Sequence, residues 1–182
     1  NPHFKRIVDY RDVESHNMYA ELRAQGRDSD NLLAILASKS RDNSRTPMQW
    51  DDGENAGFTH GTPWINLCDN YQTINAKTAV DDPNSVFYAY QQLIKLRKAN
   101  PVFTWGNYQD LLPEHPYLWC YRREWQGQTL IVAANLSREN QWWMPEAFDG
   151  KWDVLMSNYS DAASKPGEIS LRPFEAVYWL QG

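Results

Sequence analysis

The dipeptide Asn100-Pro101 divides these 182 residues into two stretches whose apolar side chains follow different periods. Before it, apolar residues recur at helical spacing between clusters of capping residues. After it they fall into short runs separated by Gly and Pro. Proline removes a backbone donor and pushes the preceding residue out of helical geometry, so a helix reaching Asn100 ends there. The pattern predicts an α+β chain, helical over residues 1–101 and antiparallel β over 102–182, with the boundary near Pro101 to Thr104.

In the first stretch, Asp12 is a candidate N-cap for a short helix carrying Met18, Tyr19 and Leu22 on one side, with Gly26 just past its end. Asp28-Ser29-Asp30 offers caps for a second helix whose Leu32, Leu33, Ile35 and Leu36 are expected to face inward, with Lys39 and Arg41 toward its C-terminal end. From Asp51 to Asp82 the residues are mostly Gly, Asn, Asp, Thr and Pro with single aromatics, which predicts a long irregular connection. Asp82-Pro83 reads as an N-cap followed by a first-turn proline. The stripe Val86, Phe87, Tyr90, Leu93 and Ile94 then predicts an amphipathic helix ending at Arg97, Lys98 and Asn100.

The second stretch predicts strands over Asn107–Leu112, Tyr117–Arg123, Thr129–Leu136, Gln141–Met144, Lys151–Met156, Ile169–Leu171 and Glu175–Leu180. Gly127 marks a hairpin, and Pro113, Pro116, Pro145, Gly150 and Pro166-Gly167 punctuate the remaining turns. Turn signals at intervals of about 8 to 12 residues with no helix between them predict an antiparallel sandwich. Adjacent Trp142 and Trp143 must point to opposite faces of a strand, so at least one indole is expected outside the core. Such an indole serves as a docking contact or as a sugar platform.

One segment fits neither period. Arg41 to Asp52 packs two arginines, three aspartates and a tryptophan into twelve residues, with Pro47 holding Thr46 extended. It predicts a structured loop able to aim side chains into a cleft. Guanidinium and carboxylate groups bond ring hydroxyls and an indole covers an apolar sugar face, so a polyhydroxylated ligand suits it. A charged surface loop braced by its own Arg–Asp pairs is the alternative.

The net charge is -5 and no run of Lys or Arg stands out, which argues against nucleic acid or anionic membrane as a partner. Apolar residues make up 42% and aromatics 14%, ample for a packed core, yet no run approaches the roughly 18 apolar residues of a membrane span. The chain reads as soluble, with no visible targeting address. Cys68 and Cys120 stand alone and fit a reducing, cytoplasmic compartment, leaving one disulfide open. The four histidines, His3, His16, His60 and His115, pair with no ligand at metal spacing, so neither a metal site nor a cofactor is expected.

Arg41 to Asp51, followed by Ala56-Gly57-Phe58-Thr59 and Pro63-Trp64-Ile65, resembles the segment after the eighth barrel strand in the α-glucosidase branch of glycoside hydrolase family 13. The likeness runs from Tyr10-Arg11-Asp12-Val13-Glu14 to Leu171-Arg172-Pro173-Phe174-Glu175-Ala176. That branch holds oligo-1,6-glucosidases and trehalose-6-phosphate hydrolases, and Leu93–Lys98 and Trp105–Leu112 are most similar to the bacterial hydrolases of the latter kind. The resemblance implies that residues 1–101 are the last helices and cleft loop of a (β/α)8 barrel and that 102–182 are a C-terminal β-sandwich. The chain, starting at Asn1-Pro2-His3, would be the C-terminal piece of a longer enzyme, completed by the barrel portion of the same polypeptide.

By the same resemblance, the reaction is cleavage of an α-glucoside, trehalose 6-phosphate, to glucose and glucose 6-phosphate. Retaining glycosidases need a nucleophile and an acid roughly 5 Å apart, and the motifs that supply them are expected upstream, so none of these 182 residues is assigned a catalytic role. Asp42, Asp51 and Asp52 are expected to pair with Arg41 and Arg45 or to be solvated. Arg45 matches the arginine that holds the non-reducing glucose, and Glu14 is similar in position to a residue that touches the second sugar. Lys5, Arg6 and Arg11 read as surface charges rather than a phosphate cradle. Rival readings are a carbohydrate-binding or structural β-sandwich module and a fragment of an oligo-1,6-glucosidase.

Overall fold

In the computed structural model, which describes residues 1–143 and 148–182, the chain divides into two compact units, Asn1–Ala89 and Tyr90–Gly182. In the first unit, α1 (Val13–Ala24) and α2 (Ser29–Lys39) begin as their capping residues dictate. Asp12 accepts a bond from the amide of Ser15, and Asp28 from that of Asn31. Gly26 follows α1 with φ +82°, the left-handed geometry a helix stop favours. Phe4, Tyr10, Leu36 and Ile65 form the core, with Met18, Tyr19 and Leu33 packed against it. One expectation needs correcting: Ile35 lies outward beside the buried Leu32 and Leu36. The apolar side of α1 is partly buried as expected, and Ser15 of the same helix is buried as well.

The connection from Asp51 to Asp82 is mostly irregular but contains a further short helix, α3 (Ala76–Asp81), capped by Asn75 on the Thr78 amide. Its first amides bond the carbonyls of Gln49 and Trp50, which ties α3 to the loop. Asn55, Ala56 and Gly57 are all left-handed, and a Cβ on Gly57 would stand 2.6 Å from Asp51 Oδ2. Gly57→Ala is therefore expected to destabilise this unit by about 1–2 kcal/mol, through left-handed strain and displacement of the Asp51 carboxylate. Thermal unfolding checks it, and an unchanged midpoint would contradict it.

The last long helix, α4 (Val86–Ala99), starts later than the sequence suggests. Asp82 closes α3 instead of opening α4, and its carboxylate and carbonyl accept from Asn84 and Ser85 in a turn. Its stripe is also not buried: Val86, Phe87, Tyr90 and Ile94 are all exposed. After Asn100 the chain makes another helical turn, α5 (Val102–Trp105), before any strand. Proline fits the start of a helix because the missing amide would have had no partner there.

Among the described residues seven strands follow: β1 (Asn107–Asp110), β2 (Leu118–Trp125), β3 (Gln128–Asn135), β4 (Gln141–Trp143), β5 (Asp153–Ser157), β6 (Ile169–Leu171) and β7 (Ala176–Gln181). The expected end of β4 at Met144 and the turn at Pro145 lie outside the described residues. All pairings are antiparallel, in a five-stranded sheet ordered β1-β2-β3-β7-β5 and a two-stranded sheet of β4 and β6. Gln126 and Gly127, both at positive φ, join β2 to β3 in a two-residue hairpin.

Strand alternation sorts the core of this unit. Ile131, Ala133, Val177 and Trp179 meet Trp143 of β4 and Leu171 of β6 on one face of the larger sheet. Leu130, Val132, Tyr178 and Leu180 meet Val102 and Phe103 of α5 on the other. Trp143 is 2% exposed and its neighbour Trp142 67%, as opposite strand faces require. Cys68 and Cys120 are both free thiols, and burial pushes the Cys120 thiol up to about 12, too high for a reactive thiolate. Among the described residues no helix is long and apolar enough to cross a membrane.

Candidate functional site

The charged residues singled out in the sequence converge where α1 begins and α2 ends. After α2, Ser40 turns the chain and its hydroxyl accepts from the Asp42 amide, starting a single 3-10 turn over Arg41–Ser44. That turn places Asp42 beneath the segment entering α1. Asp42 is 0% exposed, and its Oδ2 accepts from the backbone amides of Arg11 at 2.6 Å and Asp12 at 2.9 Å. Two amides on one buried oxygen account for much of the cost of burying this charge.

Asp12 faces the same spot from the other side. Its Oδ2 accepts from the amide and hydroxyl of Ser15, whose Oγ lies 2.8 Å from that of Ser40 and so ties α1 to the turn. Its Oδ1 meets Arg41 at 3.1 Å and Arg45 at 3.6 Å. Burial pushes the Asp12 carboxyl up, but the Ser15 bonds and the two guanidinium groups outweigh it and hold the carboxyl below its usual range.

Arg45 closes the turn, its amide donating to the Asp42 carbonyl, and its Nη1 lies 3.6 Å from both Asp12 Oδ1 and Asp42 Oδ1. These distances allow attraction without a hydrogen bond. No group accepts a hydrogen bond from its guanidinium among the described residues, and the side chain is 43% exposed. Glu14 stands at the rim, 74% exposed and paired with Arg41 at 2.8 Å. Tyr10, buried beside this array, has a hydroxyl with no partner among the described residues; burial first and then the Asp42 charge raise its pKa.

The structure thus brings Arg45, Glu14, Arg41 and Asp42 together and separates the other aspartates from them. Asp51 caps the Gly53 amide instead of meeting an arginine, and Asp52 pairs with Lys77 at 3.1 Å. Arg41 pairs with Asp12 and Glu14, not with the loop aspartates. The sequence pattern gives Asp12 only a capping role, because nothing local to it shows that its second oxygen meets two arginines some thirty residues on. Arg6 pairs with Asp9 and Arg11 donates to the Trp64 carbonyl, so neither joins a cationic cradle. Trp50, Trp64 and Met48 are exposed on the same loops.

What the array can do is hold a guanidinium open to solvent between two fixed carboxylates. Asp12 is held in its ionised form, and a glycosidase acid needs the opposite shift.

Comparison with known proteins gives a consistent set of relatives. The family described as alpha amylase, catalytic domain, matches residues 8–106. The trehalose-6-phosphate hydrolase of Escherichia coli K12 is 67% identical over 181 residues, all of this chain and 33% of that protein. An oligo-1,6-glucosidase of Parageobacillus thermoglucosidasius is 46% identical, again over all of this chain and 33% of its own length. A crystal structure of a Bacillus licheniformis trehalose-6-phosphate hydrolase superposes with a TM-score of 0.93 at 41% identity, covering 99% of this chain and 33% of that one. The chain spans about a third of the length of these relatives.

Proposed function

Because the chain belongs to the α-amylase catalytic-domain family, we propose that it forms the C-terminal portion of a retaining α-glucosidase that hydrolyses trehalose 6-phosphate to glucose and glucose 6-phosphate in the cytoplasm. Residues 1–101 are its last barrel helices and cleft loop, and 102–182, with their two antiparallel sheets, its sandwich domain. The exposed stripe on α4 supports a barrel portion lying outside this chain, since apolar surface of that kind calls for a cover. The free thiols fit a reducing compartment.

Arg45 carries the reading. It is steadied at one nitrogen and open at the others, and a planar fork with uncommitted donors can bond a sugar hydroxyl and a further carboxylate together. Glu14, exposed at the rim, takes the second sugar. The acid and nucleophile come from the remaining two-thirds of the enzyme, and the 182-residue chain alone is inactive.

In the full-length enzyme, Arg45→Ala is expected to lower kcat/KM for trehalose 6-phosphate by on the order of 100-fold, the scale of a lost charge-assisted hydrogen-bond donor to the reacting sugar. Unchanged kcat/KM would remove Arg45 from the site. Faster turnover of isomaltose than of trehalose 6-phosphate would move the parent to the oligo-1,6-glucosidases. A carbohydrate-binding module is favoured by the outward Trp142. Saturable binding of maltose or trehalose to the chain alone, abolished by Trp142→Ala, would select that reading.

A further inference from the structure

We propose that Asp42 is the positioning residue for Arg45: a buried, backbone-anchored carboxylate whose free oxygen sets where the guanidinium stands. The inference rests on the proposed contact between Arg45 and the sugar. Its ground is the division of labour between the two oxygens of Asp42. Oδ2 is fully used by the Arg11 and Asp12 amides, while Oδ1, buried and without a hydrogen bond among the described residues, lies 3.6 Å from Arg45 Nη1. An asparagine could accept the same two amides, so their bonds do not by themselves require a charge. The charge has one partner within ion-pair distance among the described residues, and that is Arg45.

Asp12 differs. Its outer oxygen is shared, lying closer to Arg41 at 3.1 Å than to Arg45 at 3.6 Å. Removing the Asp42 charge would thus leave Arg45 facing a carboxylate already claimed by another guanidinium. Anchoring matters as much as charge, because Asp42 is locked to the start of α1 by two amides and to Arg45 by the 3-10 turn they share. The guanidinium is then placed by backbone geometry instead of by its own flexible side chain, which lowers the entropy lost when substrate binds.

A double-mutant cycle in the full-length enzyme tests this. Asp42→Asn is expected to lower kcat/KM for trehalose 6-phosphate about tenfold when Arg45 is present and to have no effect in an Arg45→Ala background. Millimolar guanidinium ion should restore part of the activity of Arg45→Ala and none of that of Asp42→Asn/Arg45→Ala, a readout that a merely structural role would not move. Should Asp42→Asn fold poorly by circular dichroism, guanidinium rescue of Arg45→Ala by itself keeps the test: restored activity supports a carboxylate-built seat for the guanidinium, and none at any concentration would overturn the proposal. Equal effects of Asp42→Asn with and without Arg45, or equal guanidinium rescue of both variants, would overturn the proposal while leaving Arg45 in its role. Full activity of Arg45→Ala would overturn the substrate role and the proposal with it.

Discussion

Trp179→Ala is expected to destabilise the β-rich unit by about 4 kcal/mol, several times the cost of an ordinary surface substitution. Trp179 is completely buried at the middle of β7, stacks on Trp143 with ring centroids 5.9 Å apart, and donates from its indole nitrogen to the Ala163 carbonyl at 2.7 Å. Alanine would remove the apolar surface, leave a cavity between the two sheets and take the donor from the half-buried Ala163 carbonyl. Urea unfolding followed by circular dichroism measures the loss. Trp142→Ala is the control: its indole stands outside the core, so a change within about 0.5 kcal/mol is expected. Similar losses for the two variants would mean that the alternation along β4 is wrong.

Glu175→Ala is expected to cost about 3 kcal/mol at neutral pH, because its buried carboxylate organises the turn from β6 into β7. One oxygen accepts from the Arg172 amide and Nε, both at 2.9 Å, and the other from Nη2 at 2.9 Å. Hydrogen bonds from Arg172 hold the Glu175 carboxyl below its usual range against the opposing effect of burial, and they raise the Arg172 guanidinium in turn. A carboxyl depressed in the folded state adds stability that is fully present above its unfolded pKa and fades as pH falls through that value toward the folded one. Part of the acid lability of the chain should therefore vanish in Glu175→Ala. An unfolding midpoint that falls equally steeply with pH in both proteins would rule out this origin. The Arg172 contact with Asp161 at 2.7 Å adds little, since that carboxylate is exposed.

Much of the fold was legible because it rests on local chemistry. Asp12 and Asp28 cap the helices they precede, Gly26 and Gly127 take the positive φ their positions demand, and period-two alternation placed six of the seven strands within about two residues at each end. The misses lie where two local signals competed. Asp82-Pro83 is a sound helix start in isolation, but α3 ends on Asp82 and uses it first. Pro101 ends one helix and also opens the four-residue α5, a double use that composition does not reveal. At the site, Arg45 and Asp42 were visible as a charged pair inside one loop. The second carboxylate was not, because Asp12 reaches them only after α1 and α2 fold back on each other.

The amino-acid sequence alone determined the order of the three longer helices and of the strands, the family likeness and the arginine proposed to face the ligand, since each depends on residues near one another in the chain. Tertiary structure decided which oxygen meets which guanidinium and which of two neighbouring indoles is buried. It also decided that Asp51 and Asp52 stand apart from the arginines. Such pairings act over a few ångströms between residues far apart in sequence, and folding alone brings those residues within reach.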